Sequence, residues 1–419
     1  MKTSSWSGIC RYRTFAGKEM SGKNVFSWRK IINLRQMSSY QNVMELKIVE
    51  ISGRKDLKKF VQFGIDLYKD NEYYCPPLFL DELNTFDPSK NPAFEFSEAV
   101  FFLAYRGKKI VGRIAGIINH RANEVWNVKK VRFGWFDFVN DKEVSKQLLD
   151  AVADWGRAKG MEQLNGPVGF TDMDHQGLLL RGYEYLSPMA ALYNYPYYVD
   201  HFEAYGLEKE ADWIEVRCTV PDKVEDRILR VGELIKNKYK VKIEPVKSAK
   251  QVLTRFGYSF FDLINEAYAP LYNYSPLTKA QEKYYAEMYF PVLNYDFVTL
   301  ITNEKDELVG LGVTMPNISK ALRKAKGKLF PFGWYHLLKG IRAKKLETVD
   351  LLLIAVRPDY QEKGLTSLLF IDQIPQFIKY GVKYADVTAI LETNHKNQNT
   401  WDIFEHEIYK RRRAYMKVI

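Results

Sequence analysis

Cysteine is scarce in this 419-residue chain: Cys10, Cys75 and Cys218, no two of them close together. That excludes a CxxC metal or redox motif and argues against a disulfide framework. It suits a reducing, cytoplasmic setting. Long apolar runs are missing, and no stretch approaches the roughly 20 residues that span a bilayer. There is no GK[ST] phosphate loop and no GxGxxG dinucleotide turn, so two common nucleotide signatures are ruled out. Acidic excess is also lacking, but the net charge of +11 is unevenly spread. Residues 1–43 hold eight cations (Lys2, Arg11, Arg13, Lys18, Lys23, Arg29, Lys30, Arg35) against the single acid Glu19. The rest of the chain is therefore only mildly basic, and nucleic acid is an unlikely partner on charge grounds.

What is present is a globular composition, 46% hydrophobic and 15% aromatic, on a chain long enough for two domains with full cores. Residues 1–43 are Ser- and Arg-rich without helical periodicity. They read as a mitochondrial-type targeting peptide or, preferably, as sequence ahead of a start at Met44. Either way they are expected to be disordered and outside catalysis. From 44 the pattern alternates. The spacing predicts a strand in ELKIVEI, a helix over 54–69, a hairpin of 99–105 with 109–118, a strand over 131–139 and a helix over 143–158. A Gly/Pro-containing stretch, 164–170, leads into a loop to Gly182, then a helix over 197–205 and a strand over 214–220. After Pro221 the order recurs: strand 241–246, helices 253–267 and 279–288, hairpin 297–302 with 307–313, strand 350–356, helix 367–380, strand 384–392, helix 397–405 and strand 414–419. The expected domains are 1–43 as an extension, 44–220 as a first α/β half and 221–419 as a second.

The stretch VRPDYQEKGLTSLLF, 356–370, joins an apolar strand to a helix. The first N–H groups of a helix have no internal partner, and its dipole adds positive potential, so such a junction can hold an anion. Gly364 would let a pyrophosphate approach the backbone, Arg357 and Lys363 would supply charge, and Thr366 a hydroxyl. A lone glycine turn of this kind is equally an ordinary βα connection. Between the second hairpin and strand 350–356 lies KALRKAKGKLFPFGWYHLLKGIRAKK, 320–345, whose basic flanks enclose an aromatic centre. It fits peripheral contact with an anionic membrane, or a helical excursion packed on the other half.

The pattern Gln361-x-x-Gly364-x-Thr366 between strand and helix resembles the acyl-CoA pyrophosphate loop of the GNAT N-acyltransferase superfamily, with Thr366 where Gly or Ala is usual. The element order is also that superfamily's. GPVGFTDMDHQGLLLRGYEYLSP (166–188), ALYNYPYYVDHFEAYGLEKEADW (191–213), ILETN (390–394) and YKRRRAYMK (409–417) together resemble its YghO-like, bacterial ceramide synthase-like branch of tandem chains. The resemblance implies an α/β chain of two tandem GNAT-like domains, with mixed central sheets flanked by helices. It implies N-acyl transfer from acyl-CoA or acyl-carrier protein to an amine, without a metal. The acceptor would be a small molecule or a lipid, the sharper expectation being a long-chain base.

In that fold, strand 350–356 splays from strand 384–392, and Ala355, Val356, Arg357, Gln361, Lys363, Gly364 and Thr366 are the expected cofactor residues. Glu392 is the expected base and Asn394 orients the amine. The family's tyrosine acid would fall on Phe404, counting from Asn397, so Tyr409 is the substitute, with His395 and His406 behind it. The first half has Asn140-Asp141-Lys142-Glu143 where the loop should be and is expected not to bind CoA. Asp172, Asp174 and His175 either brace that half or shape the acceptor site. The expected location is cytoplasmic, at the inner membrane face if 320–345 docks. The alternative reading is a non-catalytic ligand sensor on the same scaffold.

Overall fold

The computed structural model describes residues 45–419; the expectations for residues 1–43 lie outside the described residues. The first half runs β1 (Leu46–Ile51), α1 (Arg54–Leu67), α2 (Phe79–Thr85), β2 (Ser97–Arg106), β3 (Lys109–Asn119), α3 (His120–Val125), β4 (Lys130–Phe138), α4 (Lys142–Ala158), β5 (Gln163–Gly166), β6 (Leu178–Arg181), α5 (Tyr198–Ala204) and β7 (Glu208–Thr219). The second runs α6 (Asp226–Tyr239), β8 (Lys242–Glu244), α7 (Ala249–Phe256), α8 (Ser259–Tyr268), α9 (Lys279–Tyr289), β9 (Val298–Thr302) and β10 (Leu308–Pro316). It continues through α10 (Ser319–Ala325), α11 (Gly333–Ile341), β11 (Thr348–Val356), α12 (Thr366–Lys379), β12 (Tyr384–Leu391), α13 (His395–Asn399) and β13 (His406–Val418). Among the described residues no helix is long and apolar enough to cross a membrane.

The strands form one mixed sheet, ordered β1-β2-β3-β4-β5-β13-β7-β12-β11-β10-β9-β8, with β6 joining β13 off this path. Only β4·β5 and β11·β12 are parallel. Helices cover both faces, as expected of an α/β sheet whose strands are apolar on both sides. In the first half, Leu148, Leu149 and Val152 of α4 pack on one face with Ile114 and Phe133. Leu57, Phe60 and Val61 of α1 pack with Leu103 and Ile117 in a separate cluster. The second half repeats this with Leu365, Leu368 and Leu369 against Ile301 and Val309, and with Phe260, Phe261 and Ile264 of α8 against Leu311 and Val313.

The halves exchange their last strands. β13 lies between β5 and β7, while β7 lies between β13 and β12. This overturns two local expectations. The helix predicted over 397–405 stops at Asn399, and the last strand begins at His406 instead of 414. The basic run KRRR, 410–413, is neutralised by Glu215 and Asp212 on β7. Lys410 and Arg412 turn to Glu215, and Arg411 and Arg413 to Asp212. Alternate residues of a strand face opposite ways, so one run of four cations feeds two acid sites. The single helix predicted over 253–267 is α7 and α8, broken at Gly257, whose φ of 57° is left-handed.

Candidate active site

β11 and β12 pair in parallel only from Thr348↔Tyr384 to Leu351↔Val387. Beyond that point two irregularities pull them apart. Leu352 is an extra residue in the β10·β11 register, between Leu351 and Leu353. On β12 the pairing with β7 skips from Val387 to Ile390, with Ala389 at φ 55°. Bulges bend a strand and raise its twist. The result is a wedge whose two inner edges, 352–356 and 388–391, have no ladder partner across it. The wedge opens into a cavity of about 1210 Å³.

The loop 361–366 sits on the rim of that cavity. Glu362 and Gly364 are both left-handed, at φ 65° and 77°. Among the described residues no acceptor takes the N–H of Glu362, Gly364, Leu365 or Thr366. A Cβ on Gly364 would lie 2.9 Å from the Ile235 side chain, so the position favours glycine on conformation and on space. Gln361 donates from Nε2 to the Val356 carbonyl at 3.1 Å and braces the turn. Lys363 lies over the Tyr360 and Tyr239 rings. Arg357 is bound by Asp359 and Glu307, so its charge braces the loop. Glu362 is neutralised by Lys396. Ala355 is buried at the end of β11, and Val356 lines the cavity.

The cavity wall is aromatic and aliphatic, including Phe260, Phe261, Tyr268, Tyr285, Tyr289, Phe290 and Leu353. Into it comes the loop after β5, from the other half, carrying Asp172, Asp174 and His175. Met173 of that loop packs in the second half's core with Val313 and Ala355. The Asp172 carboxyl is pushed up to about 7, first by burial; Arg132 opposes this and Asp174 adds to it. Asp174 accepts from the Thr171 N–H at 2.9 Å, yet burial still raises it. His175 meets the Met189 carbonyl at 3.0 Å, and burial lowers its pKa, favouring the neutral ring. Tyr268 is pushed up to about 12, mainly by burial, while its hydroxyl meets the backbone of Ile354 on β11 and feels the Asp172 charge. The wedge therefore has a high-pKa carboxyl and a phenol that feels its charge.

The three expected catalytic residues are placed differently. Glu392 is held by Lys209 and Arg411, because β12 ends beside the exchanged strands that carry those cations. Asn394 lines the cavity, but its side-chain oxygen caps α13 by accepting from the Asn397 N–H at 3.1 Å. Tyr409 does not line the cavity. It is buried on β13, donates to Glu215 at 3.3 Å and lies under Arg217. The alternatives fare similarly: His406 bonds the Phe404 carbonyl, and His395 is absent from the cavity wall. Tyr268 was missed because it sits at the end of α8, far in sequence from the loop and β12.

In the first half the corresponding wedge is closed. β4·β5 pairing ends at Arg132↔Asn165, and the chain itself fills the gap. The Val168 N–H bonds the Phe133 carbonyl at 2.9 Å, and a Cβ on Gly134 would lie 2.6 Å from the Val168 carbonyl. The N-terminus of α4 is taken by the Asp141 carboxylate, which accepts from the Glu143 and Val144 N–H groups and pairs with Arg106.

No protein-family model matches the chain. A tandem GNAT protein from the clavulanic acid biosynthesis pathway superposes with a TM-score of 0.52 at 11% identity, over 89% of this chain and 98% of that one. The chain is a tandem GNAT-fold protein. A glucosamine N-acetyltransferase region of a fungal multi-domain β-N-acetylglucosaminidase follows, with a TM-score of 0.50 at 12% identity over 90% of this chain and 38% of that one. By sequence the chain is 25% identical to Protein YghO of Escherichia coli, over 94% of this chain and all of that protein. It is 24% identical to the bacterial ceramide synthase of Caulobacter vibrioides, over 90% of this chain and 98% of that protein.

Proposed function

We propose that this protein moves an acyl group from a thioester donor, acyl-CoA or acyl-carrier protein, to the amine of a long-chain lipid acceptor. One observation carries the reading: β11 and β12 part into an apolar cavity with a loop of unpartnered N–H groups on its rim. A volume of about 1210 Å³ exceeds the roughly 300–1,000 Å³ usual for small-molecule sites, leaving room for an acyl chain and an acceptor together. The similarity to bacterial ceramide synthase supports a long-chain base as that acceptor.

The residues present fit the donor. The free N–H groups of Glu362, Gly364, Leu365 and Thr366 at the start of α12 would hold a pyrophosphate, with the Lys363 side chain beside them. The unpaired edge of β11 through Ala355 and Val356 would accept the amide groups of a pantetheine arm. The bound thioester supplies an activated carbonyl. Asp172 then takes a proton from the acceptor ammonium, a task suited to a carboxyl titrating near neutrality. Tyr268 of α8, which meets the Ile354 backbone on β11, would supply a proton to the leaving group. The occupied Glu392 and Tyr409 support the second reading, a ligand sensor; the open wedge opposes it.

Thermal-shift measurements of the full chain with CoA, acetyl-CoA and palmitoyl-CoA test donor binding, and mass spectrometry with palmitoyl-CoA and a long-chain amine tests turnover. Stabilisation by palmitoyl-CoA and an N-acyl product are expected. Stabilisation without product from either a CoA or a carrier-protein donor would establish the sensor and end the transferase reading.

A further inference from the structure

The segment 319–345 is one-sided in charge. It holds nine Lys and Arg and no Asp or Glu. Among the described residues only Lys320 has an acidic partner, Glu347 at 2.6 Å; the other eight cations have none. Between them the turn joining α10 to α11 and the outer face of α11 expose Phe330 (75%), Phe332 (71%), Trp334 (49%), Tyr335 (50%) and Leu338 (38%). Isolated exposed apolar residues are ordinary, but a contiguous patch rimmed by polar groups marks an interaction surface.

The tip is built, not loose. Gly333 turns so tightly that a Cβ there would meet the Lys328 carbonyl at 1.7 Å. The Trp334 indole donates to the Pro331 carbonyl at 3.0 Å, and the Trp334 N–H bonds the Leu329 carbonyl at 2.8 Å. The inner face of the hairpin is anchored by Ile318, Leu322 and Leu337 against Cys75, Leu78 and Met189. Leu337 is therefore buried while Trp334, Tyr335 and Leu338 point outward, a helix whose outer face is apolar where a solvated one would be polar.

We propose that this hairpin docks the protein on an anionic lipid surface, with the Phe330–Phe332 tip and Trp334 inserted at the headgroup boundary and the flanking cations on lipid phosphates. Aromatics in the centre with cations at the flanks match that layered environment, apolar below and anionic above. A nucleic acid would need the cations interleaved with the stacking rings, and here they lie apart. The hairpin root touches Met189, which also lines the acyl cavity, so docking would place that cavity beside the membrane. This last link rests on the acyl-transfer reading; the docking itself does not.

Flotation of the full chain with phosphatidylcholine vesicles, with and without phosphatidylglycerol, tests the proposal. Binding to the anionic vesicles is expected, about tenfold weaker to neutral ones and weaker in high salt. The variant Phe330→Ser/Phe332→Ser/Trp334→Ser should lose about tenfold in vesicle affinity while keeping its circular dichroism, melting temperature and palmitoyl-CoA stabilisation. Lys324→Glu/Lys328→Glu/Lys344→Glu should lose the preference for anionic lipid. Equal binding by the aromatic variant and the wild type would overturn the proposal, because other basic regions would then account for it. Tighter binding to an oligonucleotide than to vesicles, or a dimer that the aromatic variant dissociates, would overturn it too.

Discussion

Asp172 and Tyr409 illustrate how burial decides what one side chain can do. Asp172 sits in a loop that reads as polar, yet it is half-buried in the cavity wall with Asp174 nearby, and burial pushes its carboxyl up to about 7. A base must be ionised to act, so the rate should climb as pH rises through about 7 and level off above. Asp172→Asn should lower kcat by about 10²–10⁴ and remove that limb of the profile. The stability prediction has the opposite slope. The folded-state pKa lies above the unfolded value of 3.8, so the folded chain binds more protons in between, and stability falls as pH rises from about 4 to 7. Asp172→Asn should flatten that decline in melting temperature. Tyr409 is also buried, but in a strand, against Glu215 and Arg217. Tyr409→Phe should cost about 1 kcal/mol of stability with kcat unchanged, whereas Tyr268→Phe should lower kcat with stability nearly unchanged. Steady-state kinetics beside denaturant titrations separate the two.

At the scale of elements, the wedge and the loop have different origins. The loop is local chemistry: a glycine in the left-handed region, a helix start and a bracing glutamine, all within 361–366. Gly364→Glu adds a negative charge at the proposed anion site and a side chain against Ile235. It should abolish the thermal shift with every CoA species. Gly364→Ala should cost about 1 kcal/mol and weaken the shift without removing it. The wedge comes from two bulges, at Leu352 and Ala389, that break register with different neighbours. Strand propensity hides a bulge, since the extra residue is as apolar as those around it. The loop was therefore legible in the sequence, whereas the separation of the strands was an expectation drawn from family likeness.

Across the whole molecule the exchanged strands bind the halves into one sheet. Arg217 on β7 makes a bidentate pair with Asp386 on β12, at 2.8 Å for each bond. Glu215 on β7 is held well ionised by Arg412 and Lys410 on β13, against the upward push of burial. Such pairs cross two of the three seams where strands of different halves meet. Glu215→Ala would strand two buried cations, at a cost of about 3–5 kcal/mol. The exchange also predicts one unfolding transition: circular dichroism and tryptophan fluorescence should report the same guanidinium midpoint, where independent halves would give two.

The repeating order of elements, the hairpins, the amphipathic α4 and the glycine loop were all determined by the sequence, because each rests on periodicity or turn chemistry within about fifteen residues. The surroundings of the run KRRR, Glu392 and Tyr409 escape local reading for one shared reason. Their partners, Glu215, Asp212, Lys209 and Arg411, meet them only where β7, β12 and β13 converge. The same holds for Asp172 and Tyr268, one from each half, which face a common cavity only after the chain has folded. Local pattern sets which segments are strands and helices. Which charges are neutralised, and which carboxyls, such as Asp172 and Asp350, are left to titrate near neutrality, depends on long-range burial, and only the tertiary structure decided that.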